Sequence, residues 1–89
     1  MASRPRPIRT RRAAVQLGAL LAQTREAQRL SVDQLAERAS TTRGTVRRVE
    51  NGDPGVGLGE FLTVVRALGQ LDAVMAALEA GADPDALER

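Results

Sequence analysis

The sequence predicts an all-α domain built from five short helices. Apolar residues recur at spacings of three and four over most of the 89 residues, and nowhere does the chain alternate apolar and polar as a half-buried strand does. Breaks rich in Gly, Pro, Ser, Thr and Asn divide it into five periodic stretches. A chain of this length makes one small domain, near the lower end of what folds alone.

Residues 1–9, MASRPRPIR, hold two prolines, three arginines and no acid, and are expected to form a flexible basic arm. From Thr10 to Gln28 the pattern is helical, with Val15, Leu17, Leu20, Leu21 and Thr24 on one apolar face. Ser31-Val32-Asp33-Gln34 has the form of a capping box: the Ser31 hydroxyl accepts from the Gln34 N–H, and the Gln34 side chain reaches back. Asp33 stands where the helix dipole favours an acid. A second helix is expected over residues 32–39, with Leu35, Ala36 and Ala39 facing inward.

Thr42 fits as the N-cap of a third helix over residues 43–50. Its inward stripe is only Val46 and Val49, while Arg43, Arg47 and Arg48 crowd the opposite side. Asn51-Gly52-Asp53-Pro54-Gly55-Val56-Gly57 is a loop by every breaker signal. Leu58, Phe61, Leu62, Val65 and Leu68 mark a fourth helix closed by Gly69. Leu71, Val74, Met75 and Leu78 mark a fifth, closed near Gly81. Leu71, Val74 and Leu78 can face the bundle, which leaves Met75 near its edge. The folded domain is thus expected over residues 10–81, followed by an acidic tail at 82–89.

Composition narrows the function. There is no Cys, His, Trp or Tyr, and Phe61 is the single aromatic residue. Ser-His-Asp and Cys-His nucleophile systems are therefore excluded, as is a zinc site built on Cys or His. Glu79, Asp83, Asp85 and Glu88 gather near the C-terminus, but without the alternate spacing and required Gly of a calcium loop. No catalytic activity, no cofactor and no metal are expected.

The net charge of +2 hides a split. Residues 1–49 hold eleven arginines and three acids; residues 50–89 hold two arginines and eight acids. A basic half of net +8 beside an acidic half of net −6 points to a polyanionic partner for the first. Thr10-Arg11-Arg12 ahead of the apolar run 13–22 has the outline of a twin-arginine export signal. That run carries Gln16 and leads into Gln23-Thr24-Arg25-Glu26 with no small-residue cleavage site. No stretch reaches the ~18 apolar residues of a membrane span. The expected location is the cytoplasm.

Two short helices joined by a turn, the second poor in apolar residues and rich in Arg, describe a helix-turn-helix. The segment from Leu30 to Gly52, LSVDQLAERASTTRGTVRRVENG, resembles that of the lambda-repressor-like (Xre-type) transcriptional regulators. The resemblance runs from Leu17 to Leu78. It rests on Leu-Ser before the second helix, Gln-Leu-Ala within it, Thr-x-x-x-Val-x-x-Val-Glu-Asn-Gly through the third, and Ala-Leu-Gly ending the fourth. It implies a compact five-helix DNA-binding domain whose helix-turn-helix is formed by the second and third helices.

The resemblance also implies roles. Arg43, Gly44 and Arg48 fall at the family's base-reading positions, where Arg paired to guanine O6 and N7 is the commonest specific contact. Thr42, Thr45, Arg47, Ser31 and Gln34 fall at positions of phosphate contact or helix capping. Arg25 and Glu50 match a structural ion pair between the first and third helices. Arg4, Arg6, Arg9, Arg11 and Arg12 of the arm are expected to reach phosphates or a narrow minor groove.

This chain departs from the family's pattern at Val32, where many relatives have Gln, and at Arg29 and Ser40, where turn glycines are usual. The expected partner is double-stranded DNA, met as a homodimer on a palindromic operator, with no membrane partner. Glu50–Gly59, ENGDPGVGLG, also resembles regulators encoded beside Hip-type kinase toxins, which implies an antitoxin with a toxin protein as second partner. Non-specific coating of DNA is the third reading; the well-formed Arg helix and the acidic second half argue against it.

Overall fold

The computed structural model describes residues 5–85 and places five helices in them: α1 (Ile8–Ala27), α2 (Val32–Arg38), α3 (Arg43–Glu50), α4 (Leu58–Ala67) and α5 (Leu71–Ala82). α1 packs on α3, α2 on α3, α4 on both α2 and α3, and α5 on α4. The architecture is all-α and lambda-repressor-like, with α2 and α3 as the helix-turn-helix. No single helix among the described residues is long and apolar enough to cross a membrane.

Four of the helices stop by the same device. At the end of α1 the Leu30 N–H donates to the Arg25 carbonyl and the Arg29 N–H to that of Glu26. The pattern repeats as Thr41 to Ala36 with Ser40 to Glu37, as Asp53 to Arg48 with Gly52 to Val49, and as Gln70 to Val65 with Gly69 to Arg66. These are Schellman motifs, and each needs one left-handed residue. Gly52 and Gly69 supply it without strain at φ 72° and 74°. Arg29 and Ser40 supply it at φ 58° and 53° despite their Cβ atoms. The two departures from the usual glycines thus keep the turn geometry and carry its steric cost.

The helix starts are equally local. Ser31 and Gln34 close the capping box, with the Gln34 N–H on Ser31 Oγ at 3.0 Å and the Ser31 N–H on Gln34 Oε1 at 2.8 Å. Thr42 Oγ1 accepts from the Thr45 N–H at 3.1 Å and caps α3. α1 begins at Ile8, two residues earlier than the periodicity predicts, because nothing after Pro7 opposes a helix; the Arg11 N–H already bonds the Pro7 carbonyl. The end of α5 also differs. Gly81 lies inside the helix, which stops at Asp83 because the following Pro84 pushes Asp83 to an extended ψ of 114°.

The core is small: Leu21, Leu35, Ala36, Val46, Val49, Val64, Val65 and Leu68 are buried, with Leu30, Val32, Val56, Phe61, Leu71 and Val74 half-buried around them. The stripes of α2 and α3 are those the spacing predicts. That of α1 is not. Val15, Leu17 and Leu20 are 56%, 45% and 50% exposed, and only Gly18 and Leu21 are buried. The helix is turned by about one residue, so that Gly18, Leu21 and Arg25 line the contact. Thr24 is not core; its hydroxyl bonds back to the Leu20 carbonyl.

Gly18 explains the turn. A Cβ there would stand 2.5 Å from the Val49 carbonyl oxygen and 2.6 Å from that of Glu50. One at Gly52 would run into the Val15 backbone. The two glycines let α1 and the end of α3 cross at backbone contact. Leu58, expected inside, is exposed at the first turn of α4, and Val64 takes its place in the core. Leu78 of α5, expected against the bundle, is exposed with Met75.

An ion pair secures the crossing. Arg25 Nε donates to Glu50 Oε2 at 2.7 Å and Nη2 to Oε1 at 3.2 Å, while Nη1 donates to the Leu30 carbonyl at 2.8 Å. The side chains are 13% and 10% exposed. One guanidinium therefore joins α1, the turn into α2 and the end of α3. Gln28 adds a bond from Nε2 to the Leu68 carbonyl at 2.8 Å, which ties α1 to the end of α4.

Three predictions rest on these contacts. Ser40→Gly is expected to stabilise by about 0.5–1 kcal/mol, the relief of left-handed strain less the added freedom of the unfolded chain. Gly18→Ala is expected to destabilise by about 2 kcal/mol, since a backbone clash outweighs the ~1 kcal/mol of helix propensity gained. Thermal unfolding followed by circular dichroism reads these effects; a Gly18→Ala protein as stable as the parent would refute the close crossing. Glu50→Ala is expected to cost about 3 kcal/mol by leaving Arg25 unpaired, and Arg25→Met with Glu50→Leu to recover much of that loss. Equal stability of Glu50→Ala and the parent would make the pair ornamental.

Candidate nucleic-acid interface

α3 is held from one side only. Val46 and Val49 enter the core, Glu50 is clamped by Arg25, and Arg43, Gly44, Arg47 and Arg48 are all exposed on the other side. The sequence places its two tightest anchors three residues apart and its cations between and before them, so burying the valines turns the arginines outward. Gly44 is not required by the fold. Its φ is not left-handed, and an added Cβ would meet nothing nearer than Thr42 Oγ1 at 3.8 Å. The bare spot it leaves lies on the outer surface, between the arginines.

The arginines differ in their partners. Arg43 meets Asp33 of α2 edge to edge, Nε to Oδ1 at 2.8 Å and Nη2 to Oδ2 at 3.2 Å. Arg48 Nε donates to Asp53 Oδ2 at 3.1 Å, and its Nη1 stands 4.0 Å from Glu60 Oε2. Arg47 makes no ion pair among the described residues. All these pairs are exposed, so each is a weak and exchangeable contact. Thr45 Oγ1 donates to Glu60 Oε2 at 3.3 Å, which joins the first turn of α3 to α4, and Thr42 donates to Thr45 Oγ1 at 3.1 Å.

Asp53 is fixed from two sides. The Gly55 N–H donates to its Oδ1 at 2.8 Å, an Asx turn within the loop after α3. That bond first, and the Arg48 guanidinium second, hold its carboxyl below the usual aspartate value. Arg6 lies close enough to add to the effect. The negative charge therefore persists further into acid than an isolated aspartate's.

Ser31 and Gln34 serve the α2 cap, with both side chains engaged. Arg9, Arg11 and Arg12 ride on the first turns of α1 and are helical rather than part of an arm; Arg11 and Arg12 flank an exposed strip with Ile8 and Val15. Because α1 crosses the end of α3 at Gly18 and Val15, this basic segment extends past the C-terminal end of α3. Arg4 lies outside the described residues. Sequence reasoning missed the carboxylates. Asp33 stood there only as a dipole partner, and Asp53 and Glu60 had no role, although Arg48 and Asp53 bracket the Asn-Gly turn that brings them together.

One comparison agrees with this fold. A family model for a helix-turn-helix domain matches residues 16–78, which takes in α2 to α4 whole and most of α1 and α5. No curated protein and no solved structure matches the chain. With most of its length covered, from the crossing on α1 to the exposed end of α5, the chain belongs to the helix-turn-helix domain family, whose fold serves DNA binding.

Proposed function

We propose that the protein is a sequence-specific transcriptional regulator, a repressor that binds a palindromic operator as a homodimer with α3 in the major groove. The observation that carries this reading is the outer face of α3: Arg43, Gly44, Arg47 and Arg48 exposed on a helix anchored by two valines and one ion pair. Arg43 and Arg48 read guanines, and Gly44 lets the backbone approach. Arg47, which makes no ion pair among the described residues, meets phosphate, as do Thr42 and Thr45 at the helix start. Arg6, Arg9, Arg11 and Arg12 add phosphate or minor-groove contacts beyond the end of α3, and Arg4 adds its charge to the same basic stretch. The role asks for no catalytic group.

The dimer reading is supported by α5, which has no buried residue and exposes Met75 and Leu78. A module this small covers too little DNA for strong specificity alone. The antitoxin reading has one observation in its favour. The loop that carries the resemblance, together with α1, walls an open apolar hollow of about 300 Å³ lined by Leu17, Val56, Leu58 and Phe61. A partner protein would need such a surface.

Selection of bound duplexes from a random pool at about physiological salt tests the proposal. The expected product is a two-fold palindrome with half-sites about one helical turn apart. Arg48→Ala is expected to weaken that site by about 1–3 kcal/mol and to spare random DNA. Binding without enrichment would favour coating, and no binding at all would leave the partner-protein reading. Removal of residues 1–7, which spares α1, is expected to lower the salt slope by about 0.9 for each phosphate that those residues neutralise. An unchanged slope would make that segment inert.

A further inference from the structure

The geometry points to Asp53 as a positioning residue for Arg48, one that presets its guanidinium to read a base and withholds it from the phosphates of random DNA. This deepens the proposal that α3 binds DNA and rests on it. Asp53 is held at three points, two on the helix it serves and one in the loop. Its N–H donates to the Arg48 carbonyl at 3.0 Å, its Oδ1 accepts from Gly55, and its Oδ2 accepts from Arg48 Nε. The carboxylate is thus held in place by the loop before it holds the arginine.

Which nitrogen is held decides what is left. An arginine gripped through Nε keeps its two terminal nitrogens pointing away from the grip, and these match the paired O6 and N7 acceptors of guanine. Glu60 stands 4.0 Å from Nη1, beyond hydrogen-bond reach, so it steadies that end without occupying it. Arg43 is in the opposite state. Its Nε and Nη2 are both taken by Asp33, so it must release that carboxylate before it can fork onto a base.

The same carboxylate discriminates by repulsion. Random DNA offers phosphate, and binding to it is almost wholly electrostatic. A fixed negative charge beside Arg48 cancels much of its pull on a phosphate. A guanine edge, which is neutral, pays no such penalty. Even a weak bias of the side chain toward this position before binding reduces the freedom it must give up at the correct site. Arg47, which makes no ion pair among the described residues, serves both kinds of DNA alike.

The test uses the full chain as Asp53→Asn, Arg48→Ala and the double variant. Each is titrated onto the duplex enriched by the parent protein and onto random duplex of equal length. Asn keeps the Oδ1 acceptor for Gly55 and replaces Oδ2, with its charge and its bond from Arg48 Nε, by an amide donor. Asp53→Asn is expected to tighten binding to random duplex and to lower the ratio of specific to random affinity by about 5- to 10-fold, part of what one bidentate contact supplies. The loss should fall on the base pair whose substitution Arg48→Ala no longer senses. With Arg48 already removed, Asp53→Asn should leave the ratio unchanged.

Asp53→Ser, whose hydroxyl can accept from the Gly55 N–H in place of the carboxylate, is expected to behave like Asp53→Asn and guards against a loop defect. An unchanged ratio in Asp53→Asn overturns the inference alone, as does an equal fall with and without Arg48, which would make Asp53 a bulk charge. Failure of the parent protein to enrich any sequence overturns the DNA-reading proposal and this inference with it.

Discussion

Everything on the outer surface depends on the backbone crossing of α1 over the end of α3. Gly18 lies against the Val49 and Glu50 carbonyls, and Gly52 against Ala14 and Val15. Two helices that touch without side chains between them leave little room to slide. Two turns along α1 from Gly18, Arg25 reaches Glu50, so the end of α3 is fixed by steric fit on one side and by charge on the other. A helix of eight residues has little stability of its own. Anchored at its last turn and along the Val46–Val49 stripe, it can give its whole remaining surface to polar work.

That surface is less basic than its sequence implies. The split between a basic first half and an acidic second half does not persist in space. Asp33 comes from the first half and Asp53 and Glu60 from the second, and all three stand beside the arginines of α3. Such contacts are exposed and weak, on the order of 1 kcal/mol or less each. Weakness suits them: a pair worth much more would compete with DNA, and none at all would leave every cation of the face free to grip any phosphate backbone. Among the described residues Arg47 alone of the α3 arginines makes no ion pair, so in the proposed function the pull on polyanions falls to that position and to α1 rather than to the whole face.

The helix-turn-helix was legible because its signals are local. The Ser31–Gln34 box and the Thr42 cap are satisfied within three residues, and α2 and α3 begin where those residues place them. Val46 and Val49 are the only apolar residues in a helix of Arg, Gly, Thr and Glu, so its inward face had one solution. α1 offered too many: five apolar or near-apolar residues suggested a face, and only the carbonyls of another helix, meeting Gly18, select the stripe one residue around. The end of α5 misled for the reverse reason, a Gly that looked like a stop in a helix that Pro84 terminates. The partners of Arg43 and Arg48 depend on where α2 and the loop after α3 are carried by the fold, which no spacing along the chain encodes.

Size sets the last constraint. One module with a single short recognition helix contacts few base pairs, and each well-made arginine contact separates right from wrong bases by about 1–3 kcal/mol. Non-specific sites in a genome outnumber the operator by about a million-fold or more. There are two physical routes to a larger ratio: use the same contacts twice, or lower the affinity for everything else. Two-fold pairing through a face such as that of α5 takes the first, since the free energies of two half-sites add and their ratios multiply. The proposed role of Asp53 beside Arg48 takes the second, because a fixed carboxylate would subtract from phosphate binding in each copy of a dimer. The two act on different terms of the same ratio, so a domain this small gains most by using both.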